Sequence, residues 1–399
     1  MQAQSVFSAI RLFHDDLTAI RQDIHTNPEL GFQEVRTSTM VARMLTALGY
    51  QVHCNVGKTG VVGVLEGRRN TSGQSIGLRA DMDALPIQEQ GHAAYASANL
   101  GVMHACGHDG HTAILLGAAR YLAETRNFDG RVVLIFQPAE EGLGGATAMI
   151  EDGLFTRFHC DAIYALHNWP GLAPGVIGVN PGPMMAAADH FEIHIEGRGG
   201  HGAHPYQTND PVVIAAQLIT ALQTIVSRNV PAPESAVVTV AALNAGNLQA
   251  MNVIPQDARM VGTVRTFSSV IQEQIIRRME DVVAGIGAAF KAKIEMKYHR
   301  LFPATINSPE HAMFVADVAT ELFGAEMVID NLTPSMGSED FSVMLQHRPG
   351  AYFRLGQGGA AAGCVLHSAF FDFNDAVIPA GSAMFCRIVE RSMPLNIAD

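Results

Sequence analysis

The sequence predicts an α/β fold in which a mixed, mostly parallel sheet flanked by helices is interrupted by an inserted α+β domain. Three observations carry this. Apolar strand-like runs alternate with helical periodicities over the first part of the chain. A breaker cluster, Pro181-Gly182-Pro183, then precedes a segment beginning at His190 (HFEIHIEG) that alternates as a half-buried strand does. From about residue 300, helix and strand patterns return together with a further chemistry-bearing residue, His367. The expected organisation is an α/β domain in two parts, 1–186 and 300–399, with an inserted α+β domain at 187–299. A chain of 399 residues is in any case long for a single hydrophobic core.

The elements follow in order. Apolar residues at helical spacing (Val6, Ile10, Leu12, Phe13, Leu17, Ile20, Ile24) predict a helix over residues 5–26, stopped by Asn27-Pro28. A second helix is expected from Val35 to Leu48, before Gly49. Val61 to Leu65 and Ser75 to Arg79 read as short buried strands. A helix from about Thr112 to Thr125 leads to a strand at Val132–Phe136, and a further strand runs from Ala162 to Leu166. In the insertion, helices at Pro211–Ser227 and Val270–Phe290 accompany strands near 236–243, 258–265 and 292–298. Two helices against one antiparallel sheet make a self-contained unit of ordinary domain size.

Composition narrows the function. Hydrophobic residues make up 48% and charged residues 16%, which excludes a disordered or fibrous chain. The formal net charge is −12, without a cluster of Lys and Arg interleaved with aromatics, so no nucleic-acid partner is expected. The N-terminus lacks the pattern of a secretory signal, and no run of eighteen apolar residues occurs, so no membrane span is expected. Five scattered cysteines do not make a disulfide framework and fit a reducing, cytoplasmic compartment. Gly-rich segments lack the spacing and the lysine of a nucleotide site.

The chemistry concentrates in a few motifs. In Met103-His104-Ala105-Cys106-Gly107-His108-Asp109-Gly110-His111, Cys106 and His108 offer lone pairs suited to a borderline-soft ion, in a turn where ligands converge; the alternative is a buried cysteine and a capping histidine. Gln137-Pro138-Ala139-Glu140-Glu141-Gly142 follows an apolar strand directly, the place where open α/β sheets bind ligands. Of two adjacent carboxylates pointing apart, one can bind a metal while the other acts as a general base; the alternative is a solvated acidic turn. Asp81 and Asp83, in Arg79-Ala80-Asp81-Met82-Asp83, lie on one side of an extended segment and can orient a ligand or tune the base, or else cap a turn before Pro86. His167 and His367 each stand at an apparent strand end. Alone, each is an ordinary histidine. Together, Cys106, His108, Glu141, His167 and His367 exceed the four ligands that one zinc prefers and suit a pair of ions about 3.5–4 Å apart.

These motifs, with Ala165-Leu166-His167-Asn168-Trp169-Pro170, Gly199-Gly200-His201-Gly202-Ala203-His204-Pro205, Asn252-Val253-Ile254-Pro255, Gly262-Thr263-Val264-Arg265, Met336-Gly337-Ser338-Glu339-Asp340-Phe341 and Leu366-His367-Ser368, resemble the M20 metallopeptidase family. The similarity is to its branch of hippurate hydrolases, N-acyl-amino-acid amidohydrolases and auxin-conjugate hydrolases, from about residue 20 to the C-terminal helix. The resemblance implies a metal-dependent exopeptidase-like fold, with 1–186 and 300–399 as its catalytic domain and 187–299 as its lid and dimerisation domain. It also implies two divalent ions (manganese, zinc, cobalt or nickel) held by Cys106, His108, Glu141, His167 and His367. Glu140 is then the general base and Asp83 the supporting carboxylate. His201 matches the lid histidine that polarises the scissile carbonyl, and Asn252 and Arg265 match positions that hold the substrate carboxylate. The implied reaction is hydrolysis of the amide bond of a small N-acyl amino acid by a cytoplasmic homo-oligomer, dimer or tetramer. The nearest alternatives are a dipeptidase or a deacetylase of an acetylated intermediate, and, from another class, a non-catalytic metal-binding protein of the same fold. One position departs from the branch. Where a second lid histidine usually follows the proline, this chain has Tyr206, with His204 before the proline instead. Tyr donates a hydrogen bond but does not titrate near neutrality, so leaving-group specificity does not carry over.

Overall fold

The structure, a computed structural model, describes residues 2–395. The chain divides into two compact units. One comprises the chain up to Met184, then Ile306–Pro334, then the chain from Asp340 onward; the other comprises Met185–Thr305 with Ser335–Glu339.

The first unit is built on an eight-stranded sheet. Edge to edge its strands are Gln51–Val56, Gly60–Glu66, Arg131–Gln137, Ser75–Asp81, Ala162–Trp169, Gly350–Gly356, Ile177–Gly178 and Val328–Ile329. The four in the middle, from Arg131–Gln137 to Gly350–Gly356, run parallel, and antiparallel partners flank them. Helices cover this sheet, so its central strands are buried on both faces and read as nearly continuous apolar runs. Chain order reverses around Ser75–Asp81, whose two neighbours come later in sequence on opposite sides. That reversal opens a crevice at the carboxyl ends of the strands.

The helix His108–Thr125 packs against Ile378–Ser392 and His14–Thr26. The first contact is close because a Cβ on Gly117 would sit 2.4 Å from Ser382 Oγ. This helix begins at His108, one turn earlier than the apolar pattern indicates. Gly107, at φ 99°, turns the chain into it, a conformation that favours glycine. The polar residues of the motif thereby occupy a buried first turn, which hydrophobic periodicity does not register.

The helix expected over residues 5–26 is two helices, Gln2–Arg11 and His14–Thr26. Leu12 and Phe13 bond back to Ala9 and Ile10, three residues away. Ile10, Phe13 and Leu17 remain on the buried side, so the apolar period passes through the break unaltered. The edge strand Gln51–Val56 is largely exposed and polar, and no alternation announces it.

The second unit is a four-stranded antiparallel sheet in the order Ala236–Ala245, Asp257–Thr266, Ala187–Glu196, Lys293–Phe302, with the helices Pro211–Asn229 and Ser269–Phe290 packed on it. Phe191, Ile193 and Ile195 alternate inward with Glu192, His194 and Glu196 outward, as the sequence pattern predicts. Pro211–Asn229 is long and apolar enough to match a membrane span by length and composition. Its buried residues, Ile214, Ala215, Leu218, Leu222 and Ile225, recur every three or four positions and belong to the core of this unit. That is the pattern of a helix packed on a sheet.

Leu218 is fully buried in that core. Leu218→Ala is expected to destabilise the inserted unit by about 2–5 kcal/mol through lost burial and the cavity left behind. Urea unfolding followed by circular dichroism reads this as a lower midpoint.

Candidate metal centre

The strand ends Asp81 and Gln137 lie side by side in register, and His167 lies on the next parallel strand beyond Asp81. The segments that continue from these ends carry Asp83, Glu140 and Glu141, and the first turn of His108–Thr125 rises beside them. Donor atoms thereby converge from distant parts of the chain.

Two groups of donors form. In one, the ligating atoms of Cys106, His108 and His167 lie within 4.8 Å of one another; in the other, those of Cys106, Glu141 and His367 do. Cys106 belongs to both. A third group joins His108 to Glu140 and Glu141. All five sequence-derived ligand candidates are therefore brought together, with Glu140 beside them.

Two of the imidazoles, those of His108 and His167, are oriented by their other nitrogen. His108 Nδ1–H donates to Asp83 Oδ1 at 3.2 Å, which leaves the lone pair on Nε2; that buried Nε2 makes no hydrogen bond in the protein. His167 Nδ1–H donates to the Asn168 carbonyl at 2.7 Å and presents Nε2 to Cys106 Sγ at 3.4 Å. His367 Nε2 stands 3.2 Å from Glu141 Oε1. A histidine whose far N–H is tied to a carboxylate or carbonyl is the arrangement that metal sites use to fix the tautomer.

The electrostatics point the same way. Burial pushes His167 well below the ordinary imidazole value, aided by His111, so its lone pair is available. Burial opposes a charge on His108, yet Asp81, Asp83 and Glu141 outweigh it and raise this imidazole to about 10. A field that binds a proton so firmly also binds a dication, which replaces the proton. Burial, with Glu141 and Glu140, pushes the Cys106 thiol well up, so a soft ion must displace its proton to form the thiolate. A buried nitrogen without a hydrogen bond, a thiol and several carboxylates fit a pair of divalent ions.

Beneath the donors lies a buried charged layer. Arg79 is fully buried; its Nη1 donates to Asp81 Oδ2 at 2.7 Å, its Nη2 to Asp340 Oδ1 at 3.2 Å and its Nε to Gln137 Oε1 at 2.8 Å. Asp81 also accepts His111 Nδ1–H at 2.6 Å, and His111 Nε2 accepts the Asn168 N–H at 3.0 Å. Despite burial, His108, Arg79 and His111 hold Asp81 well below the usual carboxylate range. The Asp340 N–H reaches Glu140 Oε1 at 3.3 Å. Sequence reasoning assigned no role to Arg79, Asn168 or Asp340. Their signal was that they stand inside the quoted motifs. His25 is buried and bonded to Asp109 at 2.8 Å beside Arg21. Asp109 overcomes the cost of burial and pushes His25 up to about 9.

His201, Asn252 and Arg265 belong to the second unit. The short strand Gly200–His201 pairs with Val253–Ile254, and the Gly202 N–H donates to the Asn252 carbonyl at 2.7 Å, so His201 and Asn252 are neighbours. The Ala203 N–H donates to His201 Nδ1 at 3.0 Å, which places the imidazole proton on Nε2. His204 lies between His201 and Tyr206, its ring 5.2 Å from the first and 5.9 Å from the second. Arg265, half-buried on Asp257–Thr266, donates to the carbonyls of Asp189 and Val264.

Comparison with known proteins agrees with this centre. The model of peptidase family M20/M25/M40 matches residues 77–391. A hippurate hydrolase of Campylobacter jejuni is 44% identical over 92% of this chain and 94% of its own length. An N-acetyl-L-cysteine deacetylase of Bacillus subtilis is 43% identical over 86% of this chain and 80% of its own. Among solved structures, a dinuclear metal-binding peptidase of the M20 family from Bacillus subtilis superposes with a TM-score of 0.83 at 34% identity, covering 96% of this chain and 99% of that one. The chain belongs to peptidase family M20/M25/M40.

Proposed function

We propose that this protein is a metal-dependent amidohydrolase that cleaves the amide bond of N-acyl amino acids, releasing a carboxylic acid and a free amino acid. The observation that carries the reading is the pair of donor groups sharing Cys106, with the Glu140 carboxylate beside them. The hippurate hydrolase and the deacetylase among its relatives support an N-acyl amino acid as substrate.

Cys106, His108, Glu141, His167 and His367 are the residues proposed to hold two divalent ions. Bound there, such ions supply Lewis acidity and lower the pKa of a water from about 15.7 towards about 7. Glu140 takes the proton of the attacking water on its carboxylate and passes it to the leaving amine, which balances the hydrolysis. Asp83 supports the reaction by holding His108 and the turn that carries Glu140. His201, with its proton on Nε2, is a neutral donor for the oxyanion; a donor of this kind is worth roughly 3 kcal/mol. Arg265 and Asn252 take the carboxylate of the amino-acid half, which the planar guanidinium fork suits.

The thiol at Cys106 admits zinc, manganese, cobalt or nickel. Five free cysteines fit a cytoplasmic protein. The strand Ala236–Ala245 stands at an edge of the inserted sheet and bears no charged side chain, which supports pairing with a second copy in a homodimer.

Amino-acid release should be measured with acetyl, benzoyl and longer N-acyl amino acids and with dipeptides. Release from one acyl class is expected, and its identity separates a hippurase-like from a deacetylase-like pocket; no release from any member, with two ions bound, would overturn the enzyme reading. Glu140→Gln is expected to lose about 10²–10⁴ in kcat while keeping its metal content. Chelation should abolish turnover, and manganese or zinc should restore it. Arg265→Ala should raise KM for free-acid substrates and erase the preference over their carboxamides; an equal rate for both in the unaltered protein would overturn the clamp.

A further inference from the structure

Three consecutive backbone N–H groups in the turn carrying the two carboxylates end on buried carboxylate oxygens. Glu140 N–H and Glu141 N–H donate to the two oxygens of Asp83, each at 3.0 Å. The preceding residue, Ala139, donates to Glu34 Oε1 at 2.8 Å. Ala139 has φ of 52°, a left-handed conformation that an L side chain occupies only at a cost. The residue that aims Glu140 is therefore strained, and a side chain more than a hundred positions earlier holds it there.

Glu34 is suited to that task. It is fully buried, and its second oxygen accepts the Thr59 hydroxyl at 2.5 Å. Among the described residues its side chain bonds to no cation. Burying a carboxylate without a cation is expensive, so a group that pays nothing back in ion pairing has another reason to be there. The loop that brings Glu34 in also packs on the turn directly: a Cβ on Gly31 would lie 3.0 Å from Ala139 Cβ. Without the clamp, Ala139 relaxes towards negative φ, the peptide between it and Glu140 rotates and the Glu140 carboxylate loses its aim, while Asp83 still holds the Glu141 N–H and with it the ligand carboxylate.

We infer that Glu34 is a positioning residue for catalysis: by accepting the Ala139 N–H it holds the strained turn that aims Glu140 at the attacking water. The inference rests on Glu140 being the general base. Glycine carries no penalty at positive φ, so Ala139→Gly makes the clamp less necessary. A residue that merely tethers its loop to Thr59 would show no such dependence.

The experiment compares Glu34→Ala, Ala139→Gly and the double variant with the unaltered protein, each loaded with manganese, recording kcat, KM, bound metal and the thermal midpoint. Glu34→Ala is expected to lower kcat at least about tenfold with KM and two bound ions retained. Ala139→Gly in that background is expected to restore kcat several-fold. Glu34→Gln keeps the volume and an acceptor oxygen. Where Glu34→Ala does not fold, the same comparison is read on Glu34→Gln, with a smaller loss and the same recovery. A kcat within twofold of the unaltered protein, or a double variant no faster than the single, overturns the inference. Glu140→Gln in the same assay separates the two claims. If it is active, the base assignment falls and takes the clamp's purpose with it. If it is inactive while Glu34→Ala is fully active, the clamp alone falls.

Discussion

One buried carboxylate, Asp83, holds the centre together. Its Oδ1 accepts His108 Nδ1–H and the Glu140 N–H, and its Oδ2 accepts the Glu141 N–H. A single side chain thus sets the tautomer of one candidate ligand and the backbone of the turn bearing another candidate ligand and the proposed base. These three partners come from a helix terminus and a strand-end turn that are otherwise independent. Because each bond to an ionised oxygen is strong and directional, moving Asp83 disturbs all of them at once. Its place is itself fixed, two residues beyond the end of a fully buried strand.

So many acids in one place would repel one another if nothing countered them. Arg79 supplies one counter-charge from below, gripping Asp81 and Asp340 while Gln137 takes its Nε–H. Asp340 in turn is tied to Gln137 and to the Ala146 N–H. Arginine suits this position because its planar fork serves several acceptors at once and stays charged under burial. The remaining negative field is directed upward, where it raises His108 and where two cations would neutralise it. Burial of charge here is a cost to folding that ion binding offsets, so metal and stability are coupled.

The division into α/β and α+β elements was legible because it depends on apolar periodicity, which the chain displays plainly in Arg131–Gln137 and in Ala187–Glu196. The donor residues were legible because Cys, His and Glu at strand ends are uncommon without a purpose, and because they stand in motifs shared with a family. What escaped was whatever depends on three-dimensional partners. Arg79 reads as a charged residue in a strand, and nothing local says that it is fully buried between two aspartates. Glu34 reads as the residue before a helix; its partner Ala139 stands more than a hundred positions later and is an unremarked alanine. The break at Leu12 and the early start at His108 escaped for the opposite reason, since hydrogen bonding changes there while the apolar pattern does not.

Backbone strain marks the same centre independently of the donor chemistry. Among the non-glycine residues at positive φ are Ala139, immediately before the proposed base, and His367, a candidate ligand itself, at 63°. Such conformations persist only where the surroundings over-determine them. At Ala139 the surroundings are Glu34, Asp83 and Gly31; at His367 the N–H is tied to the Ala105 carbonyl, one residue before Cys106. His367 is therefore pinned to the segment that supplies Cys106, and Ala139 to the buried Glu34 carboxylate. A relaxed loop would let the donors settle at separations set by their own packing, whereas the strained turns help to keep the ligating atoms of each group within 4.8 Å of one another.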